Sequence, residues 1–256
     1  MITIAGEQMA SLAEAADERF VRTSVEQMQR YDPLLARAAG DAGLAAAARM
    51  GLATARRHGF ADGAQVKLCL ELGMSLGSGF ATDPQYRWLR PFLEGIDGVG
   101  VRERSRLLWW HATLFLDRVH GATGANAIAA AERASLVDLA LLEAVGQNFE
   151  SLGPRMLVRL HPQRSKYLDG AAVTALLAKA RADAARFGLA APAGTPLLLG
   201  LMFLFGHRVS DDPLHPWVGD VLADKARTGS TKVAELLQRA QTFASVALAQ
   251  VRKARR

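Results

Sequence analysis

The sequence predicts an all-α protein made of two tandem copies of one helical module, joined by a connecting helix and related by a pseudo-twofold axis. Three observations point there. Half of the 256 residues are hydrophobic, weighted to Ala and Leu with few β-branched side chains, a helix former's composition. No stretch sustains the period-two alternation of a half-buried strand. The chain also matches itself, without a gap from Phe20 to Leu93, when shifted by 129 positions.

That shift lays Phe20 on Phe149, Pro33 on Pro162, Arg57 and Gly59 on Arg186 and Gly188, and Gly77 on Gly206. Asp83, Pro84 and Trp88 fall on Asp212, Pro213 and Trp217. Ala matches in so Ala-rich a chain carry little information. Matches at Gly, Pro, Asp and Trp carry more, because these residues are rare or have special backbone roles. The copies span roughly 18–118 and 147–247. The chain divides into a first module at 1–118, a connecting helix within 119–146, and a second module at 147–256 with a basic tail.

The elements follow in order. Met9 to Arg30 has a helical pattern that Asp32-Pro33 interrupts, since the residue before a proline is pushed out of the α region. Asp41 is placed to cap a second helix ending at His58-Gly59. Asp62 starts a third helix, ended by Gly77-Ser78-Gly79. Asp83-Pro84 starts the next, to Glu94-Gly95, and Arg102 to Arg118 forms the last. In the connection, Ile128, Ala131, Leu136, Leu139, Leu142 and Val145 recur at three- and four-residue spacing, which predicts one amphipathic helix. In the second copy, Gly188 closes a helix, Ala191-Pro192 breaks the chain, and Thr195-Pro196 opens an apolar helix that Gly206 ends. Asp212-Pro213 opens the next, and Gly229-Ser230 precedes the last.

In ATDPQYRW and SDDPLHPW the aspartate suits a helix N-cap and the proline the first helical position. Trp88 and Trp217 then fall one turn further on, against the preceding apolar helix. Loss of such a cap costs about 1 kcal/mol. These six residues read as a structural helix-start motif.

The N-terminus lacks a basic stretch followed by a continuous apolar run, so a secretory signal is not expected. The longest apolar runs, at Leu107–Leu116 and Leu197–Gly206, are about half the roughly 20 residues needed to cross a bilayer. A cytoplasmic protein without membrane contact is expected. The net charge of +6 and the tail at Arg252-Lys253-Ala254-Arg255-Arg256 suit acidic partners. The charges are dispersed and not interleaved with aromatics, which argues against a nucleic-acid reader.

Catalytic chemistry needs a nucleophile and base, paired carboxylates or a metal cluster. The best metal candidates are His207, Asp211, Asp212 and His215, within nine residues. Pro213 and Pro216 break the helix that would align them, and the shift lays the two histidines on Ser78 and Tyr86, so no metal or other cofactor is expected. Gly77-Ser78-Gly79 lacks both phosphate-loop patterns, and Cys69 lies on an apolar helix as a small hydrophobe. No catalytic residue is assigned. The adjacent Trp109 and Trp110 are different: two neighbouring rings cannot enter one groove of a helix, so one faces the core and the other a surface that a partner or the rest of the chain covers. The shift gives Gln238 and Arg239 at those positions. Trp109, Trp110, His207 and His215 are the candidate partner-binding residues.

The stretch His58-Gly59-Phe60, Leu72 to Gly77, Phe80 and Asp83-Pro84 to Trp88 resembles a family of small helical proteins encoded beside type VI secretion genes. The family pattern is a "YGI" turn, an apolar "LMF-x-LG" helix, an "FD-x-DP" loop and a Trp-bearing helix. Phe187-Gly188-Leu189, Leu201 to Gly206 and Asp212-Pro213 to Trp217 resemble it again, in a tandem form that departs from the family's single module. The resemblance implies a non-catalytic accessory, an effector chaperone or adaptor whose protein partner is a toxin effector or a spike or PAAR component, without a small-molecule substrate. The alternatives are an immunity protein that neutralises a toxin, and an enzyme using the His207/His215 region.

Overall fold

In the computed structural model, residues 6–189 and 192–254 are described, and among them every regular element is helical. The first half holds α1 (Gly6–Tyr31), α2 (Pro33–Arg57), α3 (Gly63–Leu76), α4 (Arg90–Glu94) and α5 (Val101–His120). Next come α6 (Ala125–Ser135) and α7 (Leu139–Gln147). The second half holds α8 (Phe149–Leu160), α9 (Pro162–Ser165), α10 (Gly170–Arg186), α11 (Gly194–Phe205), α12 (Pro216–Ala223) and α13 (Gly229–Ala254). No described helix is long and apolar enough to cross a membrane.

Local chemistry explains most boundaries. Asp62 accepts hydrogen bonds from the backbone N–H groups of Ala64 and Gln65 at 2.8 and 3.1 Å, and Gln65 Oε1 accepts the Asp62 N–H, completing a capping box at α3. The helices α3 and α11 stop at Gly77 and Gly206, whose φ angles of 97° and 102° suit glycine alone.

Three expectations are corrected. Asp32, not Asp41, caps α2 by accepting the Leu35 N–H at 2.9 Å; Gly40, at φ 65°, absorbs a bend and the helix resumes beyond it. Asp41 instead accepts from Gln29 Nε2 at 2.8 Å. The single connecting helix is two. Leu136 is 79% exposed at the break, and Asp138 starts α7 by accepting the Leu141 N–H. The apolar spacing runs through the break because both pieces bury a face on the second half, α6 along α13 and α7 against α11 and α8. Finally, α12 begins at Pro216 rather than at Asp212-Pro213. Ala191 and Arg255-Arg256, parts of the expected chain break and basic tail, lie outside the described residues.

Three apolar clusters form the core. One joins α3, α4 and α5 through Phe60, Leu76, Leu89 and Leu108. Another joins α8, α10, α11, α12 and α13 and takes Leu142 and Val145 from α7. The third packs α1 on α2, with Leu70 and one residue from the far half, Leu214. Leu214 is 1% exposed, and such burial contributes roughly 1.5–3 kcal/mol. The loop after α11 is therefore part of the first half's interior.

Candidate functional site

The two Asp-Pro loops meet in a seam between the halves. A Cβ on Gly77 would stand 2.4 Å from the Phe205 carbonyl oxygen, and one on Gly206 would stand 2.9 Å from that of Leu76. Each aspartate then serves both loops. Asp83 accepts the Gln85 N–H at 2.8 Å on its own side and the His207 N–H at 2.7 Å across the seam. Asp212 accepts the Leu214 N–H at 2.9 Å on its own side and the Ser78 N–H at 2.9 Å across it. Both carboxylates are buried. A buried charge is tolerated only when its oxygens are hydrogen-bonded, and here both oxygens of each carboxylate are.

The remaining helix-start residues sit close by. Pro84 opens a short 3₁₀ turn, Pro84–Leu89, and Pro213 lies with its carbonyl against Gly43 of α2. Trp217 meets Phe205 of α11 edge-on at 6.4 Å. Trp88 packs instead on Phe115 of α5 at 5.1 Å and on Tyr167 at 6.5 Å.

The four candidate metal ligands do not converge. His207 Nδ1 lies 3.3 Å from Asp83 Oδ2 without hydrogen-bond geometry. Asp211 faces Arg186 at 3.6 Å, Asp212 holds the seam, and His215 packs at a tilt against Phe205, with centroids 4.4 Å apart. Burial pushes the His215 imidazole down to about 4, against the pull of Asp212 and Asp32. Among the described residues no three His, Cys, Asp or Glu side chains gather as a metal site. Cys69 is buried, and burial pushes its thiol up to about 12, which leaves it an apolar filler.

Trp109 and Trp110 are 53% and 51% exposed. The expectation that one would face the core is corrected: both lie on the outer side of α5, each about half exposed. His111 stacks on Phe92 with centroids 4.5 Å apart and meets the Trp110 ring at 5.1 Å, so Trp110 rests on a packed aromatic base. A half-exposed aromatic pair can bury much area with little loss of side-chain freedom, because each ring has only two side-chain torsions.

Sequence reasoning missed a pair of buried cations. Arg104 donates to the carbonyls of Leu93 at 2.7 Å and His58 at 3.1 Å. Lys232 donates to those of Leu222 at 2.8 Å and Phe187 at 3.2 Å. These are the same two carbonyls under the shift of 129, yet Arg104 and Lys232 are 128 apart. The loop 224–228 before α13 is one residue shorter than the loop 95–100 before α5, which accounts for the slip. With the two cations laid on one another, Trp109 and Trp110 fall on Leu237 and Gln238, where the shift of 129 gives Gln238 and Arg239. The loop-length difference was present in the sequence, but no rare residue marked it.

Another missed element is Arg164, which donates to the Tyr86 hydroxyl and, at 3.2 Å, to the Leu204 carbonyl, with its guanidinium over the Tyr86 and Phe203 rings. Burial raises the Tyr86 phenol, so it stays protonated. The seam is thus a structural clasp, and the outward-facing chemistry is aromatic. No protein-family model matches the chain, and comparison with curated proteins and with solved structures likewise found no match.

Proposed function

We propose that this chain is a non-catalytic protein-binding accessory of a type VI secretion system, an effector chaperone or adaptor acting in the cytoplasm. In this reading two copies of one module, related by a pseudo-twofold axis, form a single rigid scaffold. The reciprocal bonds of Asp83 and Asp212 and the paired cations Arg104 and Lys232 support the two-copy arrangement. The observation that carries the binding role is the half-exposed pair Trp109 and Trp110 on α5. A preformed surface lowers the ordering cost of association. The secretion-system assignment rests on the resemblance of the two loop-and-helix stretches.

Co-expression with the effector, spike and PAAR products of its own gene neighbourhood is the test. Co-purification with one of them, lost in Trp109→Ala/Trp110→Ala, is the expected result. A chain that stays alone, or a complex indifferent to both substitutions, refutes the reading. Deleting the gene separates the roles: a chaperone's loss stops toxin delivery, whereas poisoned sister cells point to immunity.

A further inference from the structure

One aromatic contact has lost its partner in the second half. In the first half, Tyr167 covers the place where Phe115 meets Trp88. Its ring stands 4.8 Å from Phe115 at 83° and 6.5 Å from Trp88. The register set by the buried cations gives Phe243 as the counterpart of Phe115. The geometry agrees: Phe115 meets Tyr86 at 5.8 Å and 78°, and Phe243 meets His215, at the position matching Tyr86, at 5.9 Å and 81°. Trp217 matches Trp88. In the second half the two matching rings are bridged by Phe205, which meets Trp217 at 6.4 Å and Phe243 at 5.5 Å, and both rings line one groove.

Tyr167, the covering ring, has no aromatic counterpart. The position matching Tyr167 is Ala38, on α2. An open groove of about 840 Å³ lies there between α2 and α13, with Leu34, Arg37, Ala38, Trp217, Arg239 and Phe243 in its lining. That volume falls within the ~300–1,000 Å³ of pockets that enclose a ligand. It exceeds what one phenol ring fills, so a segment fits better than a lone side chain. The rim is charged in a directed way. Glu235 is taken up by Arg227 and Arg239, while Arg37 is exposed and makes no ion pair among the described residues.

We propose that this groove is a docking site for a protein segment that seats an aromatic side chain against Phe243 and Trp217, as Tyr167 does in the other half, with an acidic residue beside Arg37. The template rests on the two-copy reading. The site itself is a second surface, separate from Trp109 and Trp110. The aromatic anchor buries apolar wall and the carboxylate supplies a charge-assisted contact at the rim.

A random dodecapeptide phage library panned on the full chain tests it, with synthetic peptides titrated afterwards. Enriched peptides should share an aromatic residue with an acidic neighbour. Their affinity should fall at least tenfold on Ala38→Tyr, which restores the covering ring, and on Ala234→Trp, which blocks the groove from the exposed side of α13. Ala38→Tyr should also melt no lower than the parent. Trp109→Ala/Trp110→Ala should leave peptide binding unchanged, so failure of the groove and failure of the Trp109–Trp110 surface are read separately. The proposal is overturned by no enrichment, by peptides without aromatics, or by peptides that bind both groove variants like the parent. Peptides that need the Trp pair also overturn it. So does a concentration-dependent dimer in sedimentation that Ala38→Tyr dissolves, because the occupant is then a second copy.

Discussion

Asp83 Oδ2 accepts the backbone N–H of His207 at 2.7 Å, from a carboxylate that also holds the N–H of Gln85. One side chain therefore starts a helical turn in the first half and fixes the loop after α11 in the second. Asp83→Ala removes the cap, worth about 1 kcal/mol, and strands a partly buried N–H, worth about 1–3 kcal/mol. A loss of about 2–4 kcal/mol in urea unfolding is expected, well above a surface cap alone. Asp212→Ala should behave alike, and a double-mutant cycle should show coupling through the shared seam. A loss no larger than 1 kcal/mol would reduce Asp83 to a local cap.

The glycines at the seam admit no side chain. Gly77→Ala adds a Cβ 2.4 Å from the Phe205 carbonyl at a φ of 97°. Steric and backbone strain together should cost about 2–4 kcal/mol. Gly95→Ala has a comparable φ of 142° but nothing within 4 Å, so it isolates the backbone share. Comparing the melting temperatures of the two variants measures the close approach itself.

His215 makes the seam sensitive to acid. Its folded-state value is about 4, below the ordinary 6.5 of an accessible histidine, so the folded chain disfavours the protonated form. The stabilisation is complete above pH 6.5 and is lost as pH falls from 6.5 towards 4, because there the unfolded chain binds the extra proton. On the order of 2 kcal/mol should disappear across that window. His215→Phe keeps a ring against Phe205 and should flatten the contribution. Urea midpoints at pH 7.5 and 4.5, for parent and variant, give the difference.

The buried cations should be strict about charge and lenient about identity. Lys232→Met leaves the Leu222 and Phe187 carbonyls without their donor, and a loss of about 2–4 kcal/mol is expected. Arg104→Lys should cost less than Arg104→Met, since an ammonium holds the same pair of carbonyls in the second half. Thermal denaturation resolves this, at roughly 2–4 °C per kcal/mol for a chain of this size.

Some helix ends were legible from a single marking residue, while Asp41 and Asp212-Pro213 marked starts that lie elsewhere. Asp62, Gly77, Gly95 and Gly206 act locally, so a reader of the sequence meets cause and effect within a few residues. The all-α class followed from composition for the same reason. What escaped was non-local. Nothing in ATDPQYRW says that its aspartate reaches His207, because that partner is brought near only by the packing of two halves. The one-residue slip before α13 was hidden among Ala- and Leu-rich helices that look alike at either register. Trp109 and Trp110 were recognisable as a pair, but their exposure depended on where α5 came to lie.

The touching backbones of Gly77 and Gly206 carry one further consequence. On the proposed two-copy reading, each side presents matching residues to the other, as two identical chains do in a symmetric dimer. Here the two sides are one polypeptide, so each meets the other at the high effective concentration of a tether. Identical subunits must carry every substitution twice. Joined ones need not: in the two-copy reading we propose, Tyr167 stands opposite Ala38 and Tyr86 opposite His215, so the two sides can differ while the seam stays closed.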